Sequence, residues 1–207
     1  MPFNLPNILT VGRIVLIFIA LVLATNSGIP GGVKVKSDDI EMILRYIAYA
    51  LSVIAGITDL FDGYLARKWN QVTDFGALMD PLADKIFVTT TMLILVEFQL
   101  SAAWVAAVVI AREFMVTGLR LLAVKQGKVI SADKFGKLKT FLQMVMLFIG
   151  GLVWIHILDL NMTVCGKLQL RHCWSVLLWG IVIVTVGSGL NYFIKNRDLI
   201  AEKNSQA

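Results

Sequence analysis

Charged side chains are scarce in this chain. Asp, Glu, Lys and Arg together make up 16% of its 207 residues, where a soluble domain carries about 25%. That shortage excludes a soluble cytosolic enzyme, and a hydrophobic content of 57% excludes a disordered chain. Cysteine is scarcer still. The two present, Cys165 and Cys173, have no CxxC spacing, so a disulfide-rich secreted module is excluded. They read as ordinary thiols, with a single disulfide as the alternative. Internal repeats and low-complexity tracts are missing as well. What is abundant is apolar, and the mean hydropathy is +0.77. The formal charge of +5 then reads as Lys and Arg flanking membrane spans, not as a nucleic-acid surface.

A helix needs about 18 or more apolar residues to cross the ~30 Å hydrocarbon layer. Six such runs occur: Ile8 to Thr25 (broken by Arg13), Met42 to Ala66, Phe75 to Leu100, Ala102 to Val124, Gly136 to Leu158 and Trp174 to Ile194. Backbone polar groups must be satisfied within the bilayer, and the runs lack strand alternation, so they are expected to be helices. The expected fold is an all-α integral membrane protein. It is a six-transmembrane-helix bundle over 8–195, with a short interfacial segment at 1–7 and a tail at 196–207. The first run lacks a basic leader and holds Arg13, so it reads as a retained helix and not a cleaved signal. Residues 26–41, with Gly28, Pro30, Gly31 and Gly32, read as a surface loop.

Loop charge sets the orientation. The side holding both ends carries Arg67, Lys68, Lys125, Lys128, Lys134, Lys137, Lys139, Lys195, Arg197 and Lys203; the other has Lys34, Lys36, Arg45, Lys167 and Arg171. The richer side is cytoplasmic by the positive-inside rule, which places both termini inside.

Charges within the spans crowd towards that same side. At 1.5 Å per residue, Asp59 and Asp62 lie ~6–11 Å in from the cytoplasmic end of the second span. Asp80 and Asp84 lie ~8–14 Å in from that of the third. Arg13, Arg120, Lys137 and Lys139 share that half, with Arg112 near mid-span. Each charge at mid-bilayer costs at least about 2.5–3.5 kcal/mol, so their grouping implies a polar cavity open to the cytoplasm. Asp59, Asp62, Gly63 and Ala66 share one helix face, and Gly76, Asp80 and Asp84 share a face of the next. Four carboxylates brought together would repel unless cations lay between them, and carboxylate oxygen suits hard ions such as Mg²⁺ or Mn²⁺. Two divalent cations suit in-line displacement at phosphorus, and the small residues leave room for a ligand against the backbone.

The pattern Asp59-x-x-Asp62-Gly63-x-x-Ala66-Arg67, eight residues, then Gly76-x-x-x-Asp80-x-x-x-Asp84 resembles the signature of the CDP-alcohol phosphotransferases at all eight positions. The resemblance implies six transmembrane helices, a homodimer, two divalent metals, and displacement of CMP from a CDP-linked alcohol by another alcohol's hydroxyl. Asn4-Leu-Pro-Asn7-x-x-Thr10-x-x-Arg13, Asp80-Pro81-x-Ala83-Asp84-Lys85, the stretch Ala111 to Arg120, and Gly136-Lys137-x-Lys139-Thr140 resemble the family's bacterial branch that forms phosphatidylglycerol phosphate. That branch implies CDP-diacylglycerol and sn-glycerol 3-phosphate as substrates and the bacterial cytoplasmic membrane as location.

The resemblance assigns metal to Asp59, Asp62, Asp80 and Asp84, with Asp84 also taking the acceptor hydroxyl's proton. It assigns nucleotide binding to Asp62, Gly63, Ala66, Arg67 and Gly76. A salt-bridge network of the acids with Arg67 and Lys85 is the structural alternative. A dianionic acceptor calls for several cations, and Arg112, Arg120, Lys137 and Lys139, with Thr10 and Arg13, are the candidates. Glu113 is expected to hold Arg112 by charge pairing. For Lys139 and Arg13 the competing reading is snorkelling to the interface. His156 and His172 fall on the outer side and read as non-catalytic. Two other functions compete. A transporter would carry ionisable groups through both halves of the bilayer, whereas here the outer half has few. The same chemistry with inositol phosphate, serine or phosphatidylglycerol as acceptor is the second; the number of cations disfavours serine.

Overall fold

Each of the six apolar runs forms a helix: α1 Leu5–Thr25, α2 Asp38–Lys68, α3 Asp74–Glu97, α4 Ala103–Lys125, α5 Lys134–Trp154 and α6 Leu170–Lys195. The computed structural model describes the backbone of residues 5–28, 37–68, 74–127, 134–164 and 168–197; within these, the side chains of 5, 6, 59–68, 74, 77, 125, 134, 135, 137 and 164 are not described. Cys165, most of the 1–7 segment and the tail beyond 197 therefore lie outside the described residues.

Local chemistry explains where the helices begin and end. At the end of α1, Asn26 Nδ2 donates to the Val22 carbonyl at 2.7 Å and Ser27 Oγ to that of Ala24 at 2.7 Å. Gly28 then takes φ +80°, a left-handed turn that glycine adopts without strain. α2 opens with Asp38, Asp39 and Glu41 in its first turn, where the positive end of the helix dipole favours them.

Three details depart from the sequence reading. α1 already begins at Leu5, within the segment assigned to the interface. α5 stops at Trp154, short of Leu158, because His156 turns to φ 58°. The N–H groups of Ile157 and Leu158 then both reach back to the Leu152 carbonyl, at 3.0 and 3.2 Å. A short antiparallel pair, β1 Thr163–Val164 and β2 Leu168–Gln169, precedes α6.

The surface is inverted relative to a soluble protein. On α1, Ile8, Val11, Val15, Phe18 and Val22 form an exposed stripe, while Asn7, Thr10 and Arg13 on the opposite face are buried. On α6, Val176, Trp179, Ile183, Val186 and Leu190 repeat the exposed stripe. Apolar area turned outward at helical spacing is what a lipid solvent selects. Among the described residues, three helical stretches, Asn7–Thr25, Asp38–Thr58 and Leu170–Lys195, are long and apolar enough to cross a membrane. The apolar runs of α3 and α4 are broken by Asp80, Asp84 and Lys85 and by Arg112, Glu113 and Arg120. The apolar stretch of α5, Leu138–Trp154, is shorter. The chain is thus an all-helical membrane protein.

It divides into two units. The first, Met1–Ser101 with Gly150–Leu158, packs α1 against both α2 and α3. Its core joins Ala24, Ala48, Ile94, Phe98, Trp154 and Ile155, with the Phe98 and Trp154 rings 5.0 Å apart. Arg45 ties one end of this unit together. Its guanidinium donates to the Ser27 carbonyl at 3.3 Å, lies 2.9 Å from His156 Nε2 and covers the Phe98 ring at 5.2 Å. The second unit, Ala102–Ile149 with Asp159–Ala207, packs α4 on α6 around Val116, Leu119 and Tyr192.

Candidate active site

In the first unit the buried polar face of α1 meets the acidic face of α3. Thr10 and Arg13 are three residues apart on α1; Asp80 and Asp84 are four apart on α3, so the two pairs form matched rungs between helices. Thr10 Oγ1 donates to Asp80 Oδ1 at 2.9 Å, and Arg13 Nη1 lies 3.9 Å from Asp84 Oδ1. Arg13 is 1% exposed at its side chain, against 55% for Asp84. The guanidinium is thus held inside the protein and does not snorkel. A buried charge without such partners would cost several kcal/mol. Gly76, one turn before Asp80, is buried. Pro81 inside α3 has no N–H to close the helix bond beside Asp80, and Lys85 Nζ donates to the Pro81 carbonyl at 3.1 Å.

The backbone places Asp59, Asp62, Gly63, Ala66 and Arg67 in the last turns of α2, but their side chains lie outside the described residues. Where the acids are described, the donor set fits a hard divalent cation. Asp80 and Asp84 are both exposed, and an ionised carboxylate offers about four lone-pair sites.

In the second unit a cavity of about 490 Å³ is lined by Arg112, Arg120 and Lys139, with Glu113, Ser188 and Tyr192. Arg112 Nη1 donates to Glu113 Oε1 at 3.4 Å, and Lys139 Nζ donates to the same oxygen. Lys139 is 4% exposed, so it too is drawn inward and does not reach for the interface. The stem of Arg112 lies along Gly189; a Cβ there would sit 3.4 Å from Arg112 Cγ. Among the described lining residues the cations exceed the acid by two charges, which matches a phosphate monoester dianion. Lys137, beside Lys139 in sequence, has its side chain outside the described residues.

The structure therefore brings Thr10 and Arg13 to the third and fourth aspartates, and Arg112, Arg120 and Lys139 to one cavity. Sequence reasoning missed Ser188 and Tyr192, whose spacing of four puts them on one face of α6 with no charge to mark them. It also missed the link of Lys139 to Glu113, 26 residues away. His156 serves Arg45 in the fold.

Exposed carboxylates in the first unit and a cationic cavity in the second are two polar features of this lipid-facing helical protein. Residues 3–189 match the family model for CDP-alcohol phosphatidyltransferase, and the chain belongs to that family. The resemblance read from the eight-position signature is borne out. A Bacillus subtilis protein named CDP-diacylglycerol–glycerol-3-phosphate 3-phosphatidyltransferase is 39% identical over 98% of this chain and 100% of its own length. One of that name from Rickettsia typhi is 34% identical over 92% of this chain and 95% of its own. Another, from Haemophilus influenzae, is 38% identical over 74% and 77%.

Proposed function

We propose that this chain transfers the phosphatidyl group of CDP-diacylglycerol to sn-glycerol 3-phosphate, releasing CMP. The observation that carries the acceptor choice is the cavity of the second unit, whose described lining sets three cations around one acid, which suits a dianion and leaves a neutral-headed acceptor such as serine underused. Inositol phosphate has the same charge. The names of the relatives favour glycerol phosphate over it.

In this reading Asp59, Asp62, Asp80 and Asp84 would hold two divalent cations, Mg²⁺ or Mn²⁺, which when bound would neutralise charge on the diphosphate during an in-line displacement. Thr10 and Arg13, candidates for the acceptor phosphate by sequence, take positioning roles in this reading: Thr10 orients Asp80 through its hydrogen bond and Arg13 steadies the carboxylate of Asp84. Gly63, Ala66 and Gly76 admit the cytidine nucleotide against the backbone. Arg67 pairs with its phosphate through a guanidinium fork. Arg112, Arg120, Lys137 and Lys139 hold the acceptor's phosphate. The acceptor hydroxyl oxygen bonds to the phosphorus that carries diacylglycerol, and the bond from that phosphorus to the CMP oxygen breaks. CMP departs with the bonding pair, and the hydroxyl proton passes to a carboxylate oxygen of Asp84.

We further assign six spans over 8–195, a cavity open to the cytoplasm, both termini inside the bacterial cytoplasmic membrane, and a homodimer. The charge bias of the loops and the family resemblance support these.

The test uses membranes carrying the expressed chain, supplied with CDP-diacylglycerol, Mn²⁺ and each acceptor in turn. CMP release with glycerol 3-phosphate, and little with inositol phosphate, serine or phosphatidylglycerol, is expected. Release with another acceptor alone would overturn the assignment.

A further inference from the structure

Glu113 is an acid inside a cavity suited to an anion. Its Oε1 receives both Arg112 Nη1, at 3.4 Å, and Lys139 Nζ. The side chains of Arg112, Glu113 and Lys139 are 13, 20 and 5% exposed, so all three meet where water screens little. The carboxylate oxygen thus occupies the kind of position that a phosphate oxygen takes between two cations. Two further donors on the same wall are unclaimed. Arg112 Nε and the Tyr192 hydroxyl are buried with no hydrogen-bond partner among the described residues, whereas Ser188 Oγ already donates to the Thr185 carbonyl at 3.0 Å. Buried donors left open in a cavity call for a ligand, and a phosphate has the acceptor oxygens to meet them.

We infer that Glu113 is a positioning residue that sets the charge specificity of the acceptor cavity. Its Oε1 keeps Arg112 and Lys139 converged on one point, the kind of point a substrate phosphate oxygen would take. It also offsets one positive charge among the described lining residues, which limits what more highly charged anions gain from the cavity relative to a phosphate monoester. The incoming phosphate competes with this carboxylate for the two cations and completes the bonds of Arg112 Nε and Tyr192. The inference rests on the reading that this cavity takes the acceptor's phosphate.

The test is calorimetric titration of the purified full chain in micelles with inorganic phosphate and, separately, inorganic pyrophosphate. Glu113→Gln removes the competing charge. It is expected to tighten phosphate binding about tenfold or more and pyrophosphate by a larger factor, since the gain grows with ligand charge. Should E113Q alone fail to fold by gel filtration, Glu113→Asp carries the test: it keeps the charge but draws the carboxylate back from both cations, and is expected to tighten phosphate binding by about threefold or more. A folded E113Q, or E113D in its place, with unchanged or weaker phosphate binding would overturn the inference. Arg112→Ala separates the two levels. If it does not weaken phosphate binding, the acceptor-cavity reading itself fails. If it does weaken binding while E113Q has no effect, only the role of Glu113 fails.

Discussion

Thr10 is 1% exposed and its hydroxyl is committed to Asp80 Oδ1. In the proposed mechanism it touches neither substrate nor ion, so its contribution is to aim a ligand. Partners of that kind change metal affinity or activity by about 10–100-fold. Thr10→Val keeps the shape and loses the donor. Its CMP release is expected to fall by about that factor at limiting Mn²⁺ and to recover in part as Mn²⁺ is raised. Asp80→Asn is expected to stay inactive at every metal concentration, because an amide does not replace an anionic ligand. A Thr10→Val enzyme indifferent to metal would remove the threonine from this role. Arg112 acts on the other substrate. Hydrogen bonds to a charged group contribute about 1.5–3 kcal/mol, so Arg112→Ala should raise the KM for glycerol 3-phosphate about 10–150-fold with a smaller change in kcat. An unchanged KM would take it out of the acceptor cavity.

At the scale of elements, close approach depends on particular glycines. A Cβ on Gly151 would lie 2.0 Å from Tyr49 Cε2, whereas one on Gly189 would lie 3.4 Å from Arg112 Cγ. Overpacking of the first kind costs about 1–3 kcal/mol. Gly151→Ala is therefore expected to lower the melting temperature in micelles by a few degrees, and Gly189→Ala to leave it nearly unchanged. Equal effects of the two would show that Tyr49 moves freely aside. The helices were legible in the sequence because long apolar runs under bilayer constraints admit one regular structure, and most ends fall within a few residues of the expected ones. The end of α5 was not legible. Val153, Trp154 and Ile155 continue the apolar run, and nothing in their composition announces the left-handed turn at His156. The pairing of Thr163 with Gln169 escaped for a different reason: two-residue strands are too short to show a period.

For the whole molecule, the outward apolar stripes of α1 and α6 and the inward charges of Arg13 and Lys139 have one cause, a solvent that is apolar outside the protein and polar within. The candidate site was legible as far as one helix carries it. Asp59 with Asp62, and Asp80 with Asp84, share faces by spacing alone. What spacing cannot supply is register between helices, and so Thr10 beside Asp80 and Lys139 beside Glu113 became visible only in three dimensions. The central claim is that the signature aspartates work by holding divalent ions. The direct measurement follows CMP release by the purified chain after EDTA treatment and during stepwise return of Mn²⁺, with bound Mn²⁺ counted at each step by electron paramagnetic resonance. The account predicts no turnover in EDTA, recovery in step with two ions bound per chain, and fewer ions bound by Asp80→Asn. Full turnover in EDTA, or an undiminished ion count in that variant, would contradict it.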